Sequence, residues 1–132
     1  MDYSTLVKKA IEARNFSHSP YSGFRVGAAL LAANGDIFTG CNVEVAGHSA
    51  TCCAERTAFF KAVSSGITNF TAIAVVGGPD SGLADDCFPC GVCRQVMSEF
   101  CDDNFVIIAA ESDNKWKEFT LLEILPYRFS KR

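Results

Sequence analysis

The sequence lacks an excess of positive charge. Its formal net charge at pH 7 is -3, and its lysine and arginine residues are scattered along the chain rather than clustered. Neutralisation of the phosphate backbone dominates the affinity of proteins for nucleic acids. The composition therefore argues against a polynucleotide partner.

Long apolar segments are also missing. No run approaches the ~20 apolar residues that a membrane-spanning helix needs, and the N-terminus, which reads MDYST, lacks the basic start and apolar stretch of a secretory signal. We therefore expect a cytoplasmic protein with no membrane partner. The sequence has no internal repeat or low-complexity tract, and 132 residues suit a single domain, predicted here to span 1–132.

Cysteine, by contrast, is abundant. The seven cysteines are Cys41, Cys52, Cys53, Cys87, Cys90, Cys93 and Cys101. Their number is odd, and disulfide bonds rarely persist in a reducing cytosol. The count therefore favours metal binding for some of these thiols and a place in the core for the others.

The spacing of apolar residues predicts alternating helices and strands. Helices are expected over 2–16, 51–65 and 90–101, with Pro89 opening the third one, and a final helical turn is expected over 121–125. Strands are expected over 25–33 and 37–45, joined by a turn at 34–36, and over 71–76, 105–110 and 116–120. This order predicts a three-layer α/β domain, in which helices cover both faces of a mixed sheet.

Three of the cysteines have the spacing of metal ligands. Cys90 and Cys93 lie three residues apart at a predicted helix start, so both thiols project from one face of the first turn. Cys53 lies near the start of another predicted helix, with Glu55 two positions further on. Helix N-termini favour the thiolate forms that zinc requires, and three protein ligands leave a fourth zinc position for water.

A three-thiolate zinc site carries net negative charge, which makes a bound water harder to ionise. Arg56 follows Cys53 by three residues and can therefore point toward the same cluster on a helix. We expect Arg56 to compensate part of that charge; the alternative is an exposed surface arginine.

Other interpretations of these cysteines stay open. Cys90 and Cys93 could form a structural zinc clip or be core residues. With Cys87 they also spell C-x-x-C-x-x-C, which overlaps with iron–sulfur spacing, although the fourth cysteine followed by proline is missing.

Two segments contain this constellation: CAER at 53–56 and PCGVCRQ at 89–95. Together with YSGFRVGAA at 21–29, GCNVE at 40–44, and Leu125, Pro126 and Phe129, they are spread over nearly the whole chain. In these segments the sequence resembles the small, homotetrameric cytidine deaminases, and the general zinc-deaminase signature has a His or Cys ligand, a nonligand Glu and P-C-x-x-C.

The resemblance implies a five-stranded mixed sheet between helices, one Zn²⁺ and a homotetramer. It implies hydrolytic deamination of cytidine and 2′-deoxycytidine to uridine and 2′-deoxyuridine plus ammonia, in pyrimidine salvage. The nucleoside base would lie over the zinc, which Cys53, Cys90 and Cys93 hold, while Glu55 moves the protons.

The resemblance also implies the substrate contacts. Asn42 and Glu44 match residues that hydrogen-bond the ribose, and their side chains offer the donors and acceptors that a sugar hydroxyl needs. Phe24 matches an aromatic residue beside the pyrimidine, Ala54 a further substrate contact, and Phe129 a C-terminal aromatic residue that reaches into a neighbouring subunit. Without the family pattern, both phenylalanines would be interpreted as core residues.

The sequence departs from the family pattern in two places. Val45 replaces the asparagine that commonly follows the ribose-contacting glutamate, and the loop over 77–88 is longer than usual. Cys52 lies beside the expected ligand, but only Cys53 keeps the C-A-E spacing. Two rival functions remain at this point. One is an enzyme acting on another aminopyrimidine or on an aminopyrimidine-bearing antibiotic, including nucleotide or polynucleotide substrates, and the other is a zinc-stabilised binding module.

Overall fold

The computed structural model describes residues 2–85 and 87–131, so Asp86 and the two terminal residues of the predicted domain lie outside the description. The helices are α1 (Ser4–Arg14), α2 (Ala54–Ser64), α3 (Gly91–Phe100) and α4 (Leu121–Ile124), with a short 3₁₀ turn at His48–Ala50. The strands are β1 (Arg25–Ala32), β2 (Ile37–Cys41), β3 (Phe70–Gly78), β4 (Val106–Ser112) and β5 (Lys115–Thr120). All the predicted elements are present, and the 3₁₀ turn was not predicted.

The strands form one mixed sheet in the order β2-β1-β3-β4-β5. Strand β1 pairs antiparallel with both β2 and β3, β3 pairs parallel with β4, and β5 pairs antiparallel with β4. The parallel pair is joined through α3, as a crossover connection requires. The predicted α/β class with a five-stranded mixed sheet is confirmed.

Alternate residues of the strands build two apolar layers, one on each face of the sheet. In β1, Ala28 and Leu30 pack with α2 and α3, whereas Ala29 and Leu31 pack with α1. Each fully buried large apolar side chain contributes about 1.5–3 kcal/mol relative to its exposed state. These layers hold the helix starts that carry the candidate metal ligands.

Helix α2 lies very close to the sheet. Gly40 of β2 faces the first turns of α2, and a Cβ atom there would lie 2.4 Å from the carbonyl oxygen of Ala54 and 2.6 Å from the amide nitrogen of Ala58. Glycine is therefore required at position 40 by the helix above it.

The strand predicted over 37–45 ends at Cys41, so its last four residues were predicted wrongly. At Asn42 the backbone amide still donates a hydrogen bond of 3.2 Å to the carbonyl of Val26, but the carbonyl of Asn42 accepts from the amide of His18. The side chain takes the place of that carbonyl as a partner of β1. Its Oδ1 accepts a hydrogen bond of 2.9 Å from the amide of Val26, and its Nδ2 donates one of 2.9 Å to the carbonyl of Phe24.

The chain beyond Asn42 pairs with the segment that leads into α2. Val43 and Cys52 exchange two backbone hydrogen bonds of 2.9 Å. Because this bridge keeps Cys52 extended, α2 begins at Ala54 rather than at the predicted residue 51. The bridge also brings residues 42–44 beside the start of α2.

Within the part of the chain that the structure describes, no helix combines the length and apolar character needed to cross a membrane.

Candidate active site

The starts of two helices bring three thiols together. Cys53 is the N-cap residue of α2, Cys90 is the N-cap residue of α3, and Cys93 is the third residue of α3. Helix α3 therefore begins one residue later than predicted, and Pro89 precedes the cap instead of occupying the first turn. The partial positive charge of both helix N-termini favours thiolates at this place.

The sulfur atoms have the separations that zinc requires. Sγ of Cys90 lies 3.7 Å from Sγ of Cys53 and 3.5 Å from Sγ of Cys93, and all three lie within 4.8 Å of one another. Zinc–sulfur bonds of ~2.3 Å in tetrahedral geometry place neighbouring sulfurs about 3.8 Å apart. Among residues 2–85 and 87–131, no fourth His, Cys, Asp or Glu joins the group. The cluster therefore fits a zinc ion with one open position.

Arg56 lies against the sulfur cluster, as predicted. Its Nη2 donates to Sγ of Cys53 over 3.4 Å and to the carbonyl of Thr51 over 3.3 Å, while its buried Nε has no hydrogen-bond partner. Hydrogen bonds with Cys93 and Arg56 lower the pKa of Cys53 to about 5, and the same contact with Cys53 raises the pKa of Arg56. A cationic donor beside the sulfurs favours their ionised, metal-binding form.

Glu55 is a buried carboxyl group beside this cluster. Only 3% of its surface is exposed. Burial, with a smaller contribution from the charge of Cys53, raises the pKa of Glu55 to about 7. A strongly shifted carboxyl group in a cavity beside clustered thiols is a candidate for acid–base chemistry.

One cavity of about 240 Å³ connects the sulfur cluster with the start of β1. Its lining includes five of the predicted site residues that are not cysteines: Phe24, Asn42, Glu44, Ala54 and Glu55. Cys53 and Cys90 also line it. Five further lining residues were not predicted as part of the site: Val26, Thr51, Cys52, Cys87 and Phe88. Cys87 and Phe88 stand directly before Pro89 and Cys90, and this position in the sequence could have indicated these two residues.

Asn42 and Glu44 are held at the end of the cavity by hydrogen bonds. Oδ1 of Asn42 accepts from Val26 and from the hydroxyl of Ser17, so both of its lone pairs are used, and one amide hydrogen goes to Phe24. One amide hydrogen of Asn42 remains for a ligand.

The carboxylate of Glu44 accepts hydrogen bonds at most of its acceptor positions. Oε1 accepts from the amides of Tyr21 and Ser22, and Oε2 accepts from the Ser22 hydroxyl over 2.5 Å. These bonds with Ser22 and Tyr21 lower the pKa of Glu44, so it stays ionised. Of about four acceptor positions on a carboxylate, one on Oε2 remains.

Phe129 does not line the cavity of its own chain. Its side chain is 65% exposed, and its carbonyl accepts a hydrogen bond of 3.0 Å from Nε2 of Gln95 on α3. The predicted departure at Val45 also lies outside the lining, although its backbone is tied to Thr51.

Three thiolates with an open fourth position and a buried carboxyl group define a zinc site of the catalytic class. Residues 1–109 match the family described as the cytidine and deoxycytidylate deaminase zinc-binding region. The chain is 45% identical over 131 residues to a cytidine deaminase of Sporosarcina psychrophila, covering 99% of this chain and 93% of the relative. It is 43% identical over 130 residues to a cytidine deaminase of Halalkalibacterium halodurans, covering 98% and 96% of the two chains.

The solved structures agree with these sequence matches. The crystal structure of a cytidine deaminase from Burkholderia pseudomallei superimposes with a TM-score of 0.87 at 39% identity, covering 98% of this chain and 100% of the other. The chain therefore belongs to the cytidine and deoxycytidylate deaminase family, and its predicted zinc-binding region is confirmed.

Proposed function

We propose that this protein catalyses the hydrolytic deamination of cytidine and 2′-deoxycytidine, releasing uridine or 2′-deoxyuridine and ammonia, in pyrimidine salvage. One observation supports this most directly: a single cavity joins the three-sulfur cluster and buried Glu55 to a hydrogen-bonding pair, Asn42 and Glu44. Such a cavity can hold a base at its metal end and a sugar at the other.

The free hydrogen-bonding capacity at the sugar end suits a hydroxyl group. Asn42 has one donor left and Glu44 has one acceptor position left. A hydroxyl both accepts and donates, so one sugar hydroxyl satisfies both residues. Because one hydroxyl is sufficient, the deoxyribose form of the substrate is expected to bind as well.

The charge of the lining favours nucleosides over nucleotides. No lysine or arginine belongs to the described residues that line the cavity, and Glu44 is anionic. A substrate phosphate would therefore meet no cation and one carboxylate. This argues against deoxycytidylate as the preferred substrate, although the family as a whole includes deaminases for it.

Zinc bound by Cys53, Cys90 and Cys93 would supply a Lewis acid that makes water reactive at neutral pH. Its charge would also lower the pKa of Glu55, so that this carboxylate can accept a proton from the attacking water. Glu55 then donates this proton to N3 of the cytosine ring while the water oxygen bonds to C4. It next takes the remaining proton from the new hydroxyl group on C4 and delivers it to the amino group, whose bond to C4 breaks to release ammonia. Arg56 holds Cys53 and offsets the charge of the sulfurs.

The assembly and the remaining contacts follow the family resemblance. We propose that Phe24 lies beside the pyrimidine and that the start of α2 at Ala54 contacts it. Phe129, which is exposed on its own chain, would complete the site of a neighbouring subunit in a homotetramer. Light scattering tests the assembly: a mass of four chains is expected, and a monomer with full activity would contradict the role of Phe129.

A cytidine-to-uridine absorbance assay with zinc quantitation on the same sample tests the function. Cytidine and 2′-deoxycytidine are expected to react, while cytidine 5′-monophosphate and single-stranded DNA should react much more slowly. In the same assay Glu55→Gln should lose most of its activity. The matched control is Glu12→Gln, on the exposed face of α1, which should keep it. A zinc-loaded protein that releases ammonia from none of these compounds would support a binding module instead.

A further inference from the structure

The residues that line the cavity include two groups, which pack on different strands of the sheet. Thr51, Cys52, Ala54 and Glu55 form one wall, called here the helix wall, at the start of α2, which packs over β2 and β1. The other, called here the loop wall, consists of Phe24, Cys87 and Phe88. Phe24 and Cys87 lie against β3, and Phe88 packs against β5. Both strands lie on the far side of β1 from β2 in the sheet order β2-β1-β3-β4-β5.

Two residues of the loop wall, Phe24 and Cys87, pack against a glycine. A Cβ atom on Gly77, near the end of β3, would lie 2.6 Å from Sγ of Cys87 and 2.8 Å from Cε2 of Phe24. Both side chains therefore occupy the space that any larger residue at 77 would fill. Cys87 is buried, and burial, together with the charge of Glu55, raises its pKa to about 12. The wall is thus uncharged and apolar at neutral pH.

Phe88 is the member of the loop wall nearest to a sulfur ligand along the chain, two residues before Cys90. Its ring packs edge-on against Phe119 of β5, with centroids 5.4 Å apart and an interplanar angle of 66°. Buried Pro89 fixes the backbone that follows. Phe88 nevertheless remains 38% exposed and lines the cavity, so its ring is braced from one side and open toward a ligand.

The proposed function, on which this inference rests, fixes how a cytosine base can lie here. C4 must face the sulfur cluster, N3 must face Glu55 on the helix wall, and the sugar on N1 must point toward Asn42. In the pyrimidine ring N3 and C5 flank C4 on opposite sides. Glu55 lies on α2 over β2 and β1, whereas Phe88 packs against Phe119 of β5. The C5 position therefore points away from Glu55 and toward Phe88.

We propose that Phe88 is a specificity-determining residue, which limits the size of the substituent at C5 of the substrate base. A hydrogen atom at C5 fits beside Phe88 and Cys87, whereas a methyl group already meets the Phe88 ring. A hydroxymethyl group is disfavoured twice, because it is larger and because neither Phe88 nor Cys87 offers it a good hydrogen-bond partner.

The test compares cytidine with 5-methylcytidine in the wild type and in Phe88→Ala. Removing the ring is expected to raise the ratio of kcat/KM for 5-methylcytidine to that for cytidine by about 10-fold or more, since hydrophobic pockets discriminate one methyl group by 10–200-fold. Binding of uridine and 5-methyluridine, measured by calorimetry, gives a second readout that does not depend on turnover and should shift in the same direction.

Two further variants test whether the change in the ratio depends on the position of the Phe88 ring. Phe119→Ala removes the brace and is expected to shift the ratio in the same direction but less. Phe16→Ala is the matched control, since Phe16 is 81% exposed and lines a different cavity, so its ratio should equal that of the wild type. If Phe88→Ala fails to fold, as judged by thermal melting, Phe88→Leu shortens the side chain while keeping it apolar.

Two results would overturn the proposal. An unchanged ratio in Phe88→Ala would show that Phe88 does not limit the C5 substituent; if both substrates also lost activity equally, the ring would stack on the face of the base instead. A larger discrimination against 5-methylcytidine in the variant would reverse the proposed role. Failure of the proposed function itself would look different, because the wild type would then release no ammonia from cytidine.

Discussion

Replacing Gly40 by alanine should displace the helix that carries the acid–base group. The added Cβ would lie 2.4 Å from the carbonyl oxygen of Ala54 and 2.6 Å from the amide nitrogen of Ala58. Both are backbone atoms of α2, so no side chain can rotate to make room. Since ordinary contacts begin near 3.4 Å, α2 must move away from the sheet by about 1 Å.

The expected loss of rate and stability in Gly40→Ala depends on the residues that α2 carries. Glu55 and the N-cap Cys53 move with this helix, whereas Cys90 and Cys93 stay with α3. Overpacking of this kind costs about 1–3 kcal/mol of unfolding free energy. A displacement of ~1 Å at reacting groups can lower the rate by about 10²-fold. We expect both losses in Gly40→Ala.

The assay measures kcat for cytidine, the midpoint of urea unfolding and the zinc content of the same preparation. Gly47→Ala is the matched control, because a Cβ there meets nothing within 4 Å and the backbone of Gly47 is extended with a φ of -79°. The control should behave as the wild type. A Gly40→Ala protein with wild-type kcat and an unchanged midpoint would refute the close approach of α2 to β2.

Glu55→Gln should keep its zinc and lose about 10²–10⁴-fold in kcat, because the ligands remain while the proton carrier is lost; metal analysis and the absorbance assay check this, and equal activity would contradict the role. Cys90→Ala should lose zinc and melt at a lower temperature, because metal binding and folding are coupled; zinc retained at full occupancy would argue against this ligand. Burial raises the pKa of Cys87 from 9.0 to about 12, so the unfolded chain releases this proton first and the unfolding free energy should fall as pH rises above about 9. Urea titrations at pH 8 to 11 should show a smaller fall in Cys87→Ala, and an identical slope would contradict the burial of the thiol.

The sequence predicted the metal cluster because its geometry is local. Cys90 and Cys93 share one helical turn, and Arg56 follows Cys53 by one turn, so helical spacing alone sets two of the contacts. The meeting of the two helix starts is not local. It was a hypothesis from the chemistry of the three cysteines, which the family resemblance then supported.

The remaining features depend on contacts between distant segments. Composition and periodicity extended β2 to residue 45, because they do not show that the Asn42 side chain takes the place of its backbone carbonyl as a partner of β1. The start of α2 was placed too early for a related reason, since the bridge between Cys52 and Val43 holds the chain extended. Phe88 was missed because its packing against Phe119 joins residues that are far apart in the sequence.

Asn42 shows why fold and binding are difficult to separate in this cavity. The same amide group that ends β2 also presents one free N–H at the sugar end, beside the free acceptor position of Glu44. Alanine at position 42 would remove the pairing with Val26 and Phe24 together with the proposed sugar contact, so a loss of activity would not identify its cause. Aspartate keeps the acceptor toward Val26 but loses both amide donors, and it adds a second charge near Glu44. The sugar contact is therefore better tested from the substrate, by removing single hydroxyl groups while the protein stays unchanged.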